Sequence, residues 1–243
     1  MDGLPSFLGC RMPDFFCDPT PDGLAALNDA DSAHALRALR LRPGDALRVV
    51  LSGKRYEAIL EVIGSKAYAR LGQELASSEA VTRITLYQGL PKGDKLDQIV
   101  RQSTELGVHK IVPCLFSRCV ARPERGGGKI ERLNIIAREA AMQAGRTRIP
   151  EVEDILGYKE LCERVGKHEQ ALIPYEMEKG LSLRDSWHGA KDIALIIGPE
   201  GGFSREEVLG LKAIPITLGK RILRTETAGI AAIAMLLATA NDY

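Results

Sequence analysis

Three short runs in the second half of the chain, Ala171 to Ile173, Ile193 to Ile197 and Ile214 to Leu218, are continuously apolar. A strand with one wet face alternates apolar and polar side chains, so runs without alternation suit strands covered on both faces. Ile84 to Tyr87 and Val108 to Cys114 also read as strands. The segments between them have helical spacing, with Leu96, Ile99, Val100 and Leu106 on one stripe. A second stripe, Ile130, Leu133, Ile136, Ala137, Ala140 and Ala144, lies within Lys129 to Ala144. Strand and helix in alternation predict an α/β domain, a mainly parallel sheet with helices on both sides.

Upstream the period changes. From Asp45 to Leu71 short alternating apolar runs are broken by the turn signals Pro43-Gly44, Ser52-Gly53 and Gly64-Ser65, which predicts hairpins and hence a small barrel or curled sheet. Leu36, Leu39 and Arg40 follow Ser32 and His34 at roughly helical spacing, so a helix is expected before the hairpins. The small, polar stretch Gly72 to Ala80 marks a boundary, giving a β-barrel domain over 1–75 and an α/β domain over 80–243.

With 33 Lys+Arg against 32 Asp+Glu, the chain is not one that coats nucleic acid by bulk charge. Charge is locally uneven, however: His34 to Arg70 holds eight basic and three acidic residues, and Arg118 to Arg132 holds five basic and two acidic. Each cluster reads either as a solvated face or as a nucleic-acid contact. The five cysteines, Cys10, Cys17, Cys114, Cys119 and Cys162, form no C-x-x-C pair, and their odd number does not suit a disulfide framework. None of His34, His109, His168 and His188 has metal-ligand spacing, so no metal is expected, and surface or packing roles fit them. Met1 to Cys10 lacks the pattern of a signal peptide, and the low-polarity stretch Ala228 to Ala240 falls short of the ~20 residues that span a bilayer. These features predict a soluble, cytoplasmic protein that uses no membrane.

Two strand-end loops concentrate the chemistry. In the first, the run Ile193 to Ile197 stops at Gly198-Pro199-Glu200-Gly201-Gly202-Phe203, and Ser204 with Glu207 then forms a capping box for the next helix. Glycines let a backbone approach a ligand, and ligands bind at the carboxyl ends of parallel strands. The loop is neither G-x-G-x-x-G nor a P-loop, and an ordinary tight turn is the plain alternative. In the second, Ile214 to Leu218 leads through Gly219-Lys220-Arg221-Ile222-Leu223-Arg224-Thr225-Glu226-Thr227 into a helix apolar nearly all round, which must be buried in the core or at a subunit interface. A loop this dense in charge needs either ion partners or a function.

Taken in order, His34 to Asp45 (HALRALRLRPGD), Thr104 to Val108 (TELGV), Ala140 to Arg146 (AAMQAGR) with Ile149-Pro150, Gly198 to Phe203 (GPEGGF) and Leu218 to Thr227 (LGKRILRTET) resemble the bacterial 16S ribosomal RNA uracil-N3 methyltransferases of the SPOUT superfamily. The resemblance covers nearly the whole chain. It implies an N-terminal PUA-like β-barrel that binds RNA, a C-terminal α/β domain with a trefoil knot, and a homodimer acting on 16S rRNA of the small ribosomal subunit. S-adenosyl-L-methionine is the implied cofactor, held by Ile197, Gly198, Glu200, Gly201, Leu218, Gly219, Ile222, Leu223, Arg224 and Thr227, with Leu172 from the preceding strand.

For the reaction, the resemblance implies Arg224 as an electrostatic donor and Glu226 as an orienter or proton acceptor. Arg11, His34, Arg40, Arg42, Lys92, Arg118, Arg146 and Arg221 are the expected RNA contacts, with Arg122 extending the track. Cationic donors aimed at the uracil oxygens would favour loss of the N3 proton without a metal or a covalent nucleophile. The chain departs from the family pattern twice. Asp14 stands before the aromatic pair Phe15-Phe16 where relatives carry a base, with Arg11 the nearest substitute, and Gln102 stands where a lysine is usual. Methylation of a ribose 2′-hydroxyl or another base, or a non-catalytic RNA-binding module, are the alternative readings.

Overall fold

The computed structural model describes residues 12–121 and 128–242, which cluster into two compact units. The first runs through Glu79 and takes in Ala141–Arg148; the second holds Ala80–Ala140 and the chain from Ile149 onward.

The first unit begins with β1 (Asp14–Pro19) and β2 (Ala25–Leu27). Helix α1 (Asp29–Ala33) follows, its Asn28 N-cap accepting the Asp31 amide at 2.8 Å. The expected helix is only partly α: its second half, His34–Ala38, is a π-helical turn. It ends with Arg40 at φ 56°, a left-handed position usually given to glycine. Then come β3 (Ala46–Leu51), β4 (Lys54–Ile63) and β5 (Lys66–Leu75). Ser52 and Gly53, at φ 50° and 76°, form a two-residue turn of positive φ that matches strand twist and joins β3 to β4. The strands close in the order β1-β2-β5-β4-β3, with β1 parallel to β3. Phe15, Leu47, Val49, Leu60 and Ala69 fill the barrel together with Met142.

Asp14 is fully buried in this unit, and both its oxygens face arginine: Oδ1 lies 2.7 Å from Arg48 Nε and Oδ2 contacts Arg55 Nε. The departure from the family pattern therefore sits inside the fold as the counterion of two arginines.

The second unit is built on a parallel sheet. In chain order it contains β6 (Arg83–Gly89), α2 (Lys95–Glu105), β7 (Lys110–Leu115), α3 (Lys129–Ala144, whose end lies in the first unit), β8 (Glu151–Val152) and β9 (Leu156–Gly157). After these come α4 (Tyr158–Val165), β10 (Gln170–Pro174), α5 (Leu183–Ser186), β11 (Asp192–Ile197), α6 (Arg205–Gly210), β12 (Ile214–Ile216) and α7 (Thr225–Thr239). The strand order is β12-β10-β11-β6-β7-β8, with β9 also on β7, and every pairing is parallel.

The unbroken apolar runs are explained by two cores. Along β11, Ile193, Leu195 and Ile197 point into a core shared with α2, α3, α5 and α7. Ala194 and Ile196 point the other way, to a core completed by α4 and α6. Full burial of an Ile or Leu side chain is worth about 1.5–3 kcal/mol, and β11 collects that on both faces. The third run is shorter than its sequence, because Thr217 leaves the strand and its hydroxyl accepts the Gly219 amide at 3.2 Å.

Gly89, at the end of β6, has no room for a side chain: a Cβ there would lie 2.6 Å from Pro199 N and 2.9 Å from Gly198 C. Gly89→Ala should therefore destabilise the protein by about 1–3 kcal/mol through overpacking, lowering Tm in a thermal melt. An unchanged Tm would mean that the loop yields freely.

Candidate active site

The carboxyl ends of β10, β11 and β12 open onto one cavity of about 470 Å³. Its walls are three strand-end loops: Pro174 to Lys179 after β10, Ile197 to Phe203 after β11, and Thr217 to Arg224 after β12, with Thr225 and Ala228 of α7 completing it. Size and position suit a small-molecule site at the strand ends of a parallel sheet. Ile197, Ile216, Leu218 and Leu223 supply apolar wall, and Lys179, Lys220, Arg221 and Arg224 supply positive charge.

The glycines of the first loop are required largely by the protein itself. A Cβ at Gly198 would sit 3.0–3.2 Å from the Phe203 ring, and one at Gly201 would meet Arg118 Cβ at 2.9 Å. Gly202 has φ 65°. The loop is pinned from two sides. Thr225 Oγ1 donates to the Gly198 carbonyl at 2.6 Å and accepts from Gln88 Nε2 at 2.9 Å, joining the β11 loop to the first turn of α7 and the end of β6. On the other side the capping box forms as its sequence requires, and its Glu207, almost fully buried, accepts from the Ser204 amide at 2.8 Å and the Ser117 amide at 2.6 Å.

A clasp of charge joins the loops on the cavity wall. Lys95, in the first turn of α2, places its Nζ 3.0 Å from Glu200 Oε1 and 3.2 Å from Glu226 Oε2. Glu200 Oε1 also accepts the Lys92 amide at 3.1 Å. Burial works to raise the Glu200 pKa, but hydrogen bonds from Lys95 and the backbone outweigh it and hold the carboxyl below its usual range. The bond to Glu200 raises the Lys95 pKa. A depressed carboxyl contributes stability above its unfolded pKa and loses it as pH falls through the folded one, so the clasp is complete at neutral pH.

Of the expected cofactor residues, Ile197, Gly198, Glu200, Leu218, Gly219, Ile222, Leu223 and Arg224 line the cavity together. Leu172 is fully buried beneath it, Gly201 faces Arg118, and Thr227 is outside the lining. Arg224 lines the cavity, whereas Glu226 is outside the lining and lies 3.2 Å from Lys95. Sequence reasoning missed Lys95, Thr225, Gln88 and the loop Tyr175 to Lys179. The loop had a legible signal, since it follows one of the three unbroken apolar runs. The partnership of Lys95 with Glu200 and Glu226 spans more than a hundred positions and leaves no local pattern.

The expected RNA contacts fall in different settings. Arg11 and Arg122 lie outside the described residues. Lys92 and Arg118 are exposed, the latter donating from Nη1 to the Gly201 carbonyl at 3.2 Å, and Arg221 is exposed at the cavity. Arg146 is different: it is buried, with Nη2 2.6 Å from Glu79, so its charge is committed inside the first unit. In the basic cluster of that unit, Arg48 and Arg55 pair with Asp14, Lys54 with Glu74, Lys66 with Asp29 and Arg70 with Glu61. His34, Arg37, Arg40 and Arg42 are exposed on the π-turn and the segment after it, without an ion pair among the described residues. The same residues contain no metal-binding cluster of His, Cys, Asp and Glu, and no helix long and apolar enough to cross a membrane.

Comparison with known proteins identifies this architecture. Residues 78–237 match the RNA methyltransferase domain family, and residues 27–69 match the RNA methyltransferase PUA domain. The ribosomal RNA small subunit methyltransferase E of Bacillus subtilis is 30% identical over 219 residues, 84% of this chain and 85% of that protein. The crystal structure of a ribosomal RNA small subunit methyltransferase E from Neisseria gonorrhoeae bound to S-adenosyl methionine is 33% identical with a TM-score of 0.83, covering 93% of this chain and 97% of that one. A Legionella pneumophila protein in complex with the bound cofactor SAM is 31% identical with a TM-score of 0.82, covering 94% and 98%. With its PUA-type barrel and SPOUT-type α/β unit, the chain belongs to the ribosomal RNA small subunit methyltransferase E family of RNA methyltransferases.

Proposed function

We propose that this protein methylates N3 of one specific uridine of 16S rRNA in the small ribosomal subunit, using S-adenosylmethionine. The observation that carries the reading is the cavity at the ends of β10, β11 and β12, walled by GPEGGF and LGKRILRTET in a chain of this family. The residues fit the cofactor: a part-apolar, part-polar cavity of about 470 Å³ can take a nucleoside and an amino-acid tail. Ile197, Gly198, Leu218, Gly219, Ile222 and Leu223 would hold it, with Glu200 setting the shape of the loop. When bound, the cofactor would supply an electrophilic methyl group on a sulfonium whose departure as a neutral thioether balances the charge, with the N3 proton passing to solvent water.

The chain's own part is placement and charge. Arg224, at the cavity and at the N-cap of α7, is the donor to the uracil oxygen on which charge develops. Holding the reactants in register is worth roughly 7–11 kcal/mol, so no nucleophilic side chain is needed. Lys92, Arg118 and Arg221 stand on the RNA side of this unit, and the barrel domain, 1–75, grips the RNA backbone through His34, Arg40 and Arg42, joined by Arg37.

The domain over 80–243 is read as threaded into a trefoil knot. β12 lies at the sheet edge beside β10, yet the following α7 packs on α2, α5, β6 and β11, so the chain doubles back past the β11 loop. A homodimer fits the outward face of α7, where Ala234 and Ala238 are exposed and Ile230, Ala231 and Met235 are partly so. A protein that modifies ribosomes works in the cytoplasm.

Methyl transfer to small-subunit particles and to naked RNA, followed by mass spectrometry of nucleosides, should give 3-methyluridine. Arg224→Ala should lower kcat by about 10²–10³-fold, as expected for loss of one transition-state donor. A 2′-O-methyl product would refute the N3 assignment, and equal rates for both forms would remove Arg224 from the reaction. In filter binding across a salt series, Arg42→Ala should weaken RNA binding and reduce the salt slope by about 1, the effect of one lost phosphate contact. Unchanged affinity and slope would show that this segment does not hold RNA.

A further inference from the structure

Lys95 lines the cavity, Glu226 does not, and the two are joined. We propose that Lys95 is a positioning residue that fixes the gap between the two loops of the cofactor cradle, with Glu226 as its anchor on α7 rather than as the acceptor of the uracil proton. This rests on the reading that the cavity holds S-adenosylmethionine.

One ammonium serves three stretches of chain. It comes from the first turn of α2, meets Glu200 in the loop after β11 at 3.0 Å and Glu226 in the first turn of α7 at 3.2 Å. The amide of Lys92, in the loop just before α2, adds a second donor to Glu200 Oε1. The Lys95–Glu200 arm of the contact is exposed to water, whereas the Glu226 side chain is only 13% exposed, so the Glu226 arm is the better shielded of the two. Without the ammonium, two carboxylates would face one another across the junction of the two loops, each favouring separation. The cavity lies between those same loops, so its width follows the clasp.

The geometry also argues against a proton-accepting role for Glu226. A general base must reach the proton it removes, directly or through one water. Glu226 is not among the residues that line the cavity, and its Oε2 lies 3.2 Å from Lys95 Nζ, an ammonium that would have to give up this contact for the carboxylate to serve as a base. The chemistry assigned to Glu226 is therefore that of a fixed negative charge. The cation it orients holds the loop on which the cofactor would rest.

A double-mutant cycle with Lys95→Met, Glu226→Gln and both together tests this, with Lys95→Arg as the conservative control. S-adenosylmethionine affinity is measured by calorimetry, and kcat, KM for the cofactor and the pH profile of kcat with small-subunit particles. Each single variant should weaken cofactor binding about three- to tenfold, with the double variant no worse than Lys95→Met alone, because Glu226→Gln removes one of the two contacts that Lys95→Met already removes. At saturating cofactor, kcat and its pH profile should stay near wild type, and Lys95→Arg should recover most of the affinity. A Glu226→Gln enzyme with wild-type affinity but kcat lowered a hundredfold or more, or with the acid limb of the pH profile gone, would make Glu226 the proton acceptor and overturn the proposal. Additive losses, or wild-type affinity in Lys95→Met, would overturn it as well. Failure of the wild-type protein to bind S-adenosylmethionine would instead overturn the reading on which it rests.

Discussion

The hydroxyl of Thr225 holds the second unit's cavity in shape. It gives its proton to the Gly198 carbonyl and receives one from Gln88, so a single side chain ties the ends of β6 and β11 to the start of α7. Thr225 and Gln88 are buried, where an unmade hydrogen bond costs about 1–3 kcal/mol. Gln88 also donates to the Gly89 carbonyl, and Gly89 lies against Pro199. The strand end, the glycine-rich loop and the apolar helix therefore move together or not at all. A cavity placed on that junction is preorganised, which is what transfer between two bound reactants requires.

Charge is allotted by burial rather than by count. The first unit's basic excess reads in sequence as one broad patch, yet most of it is neutralised locally. Asp14 alone takes two arginines in the interior. What remains is concentrated at the π-turn and the residues after it, where Arg40 adopts a left-handed backbone that most side chains avoid. Holding an arginine there costs about 1 kcal/mol against glycine. The cost is consistent with a guanidinium kept for a phosphate, and the exposure of Arg37 and Arg42 on either side points the same way.

The fold was legible wherever burial sets a period. The strands of the α/β unit and α3 lie where continuous runs and helical stripes put them, because two-sided and one-sided burial leave different patterns in a chain. β8, β9 and the short α5 left no such pattern, being too brief for a period to develop. The grouping of Ala141–Arg148 with the first unit was equally hidden, since Ala140 and Ala144 carry the stripe of α3 across that boundary without a break. In the site, the loops that carry glycine and charge were legible by composition. Their partners were not: the contact of Lys95 with Glu226 and that of Thr225 with Gln88 exist only once the sheet has brought distant segments together.

Glycine shows most directly how composition and geometry diverge. A run such as Gly198 to Gly202 invites the inference that each missing side chain makes room for a ligand. Here Gly198 makes room for Phe203, Gly201 for Arg118 and, one strand away, Gly89 for Pro199, while Gly202 supplies a positive φ. The loop is dense in glycine because several pieces of the protein converge on it. That convergence is what a site at the end of a parallel strand demands, since walls from three loops must meet around one small volume. The glycines in the sequence therefore mark the walls of the cavity, and they act through the packing of those walls.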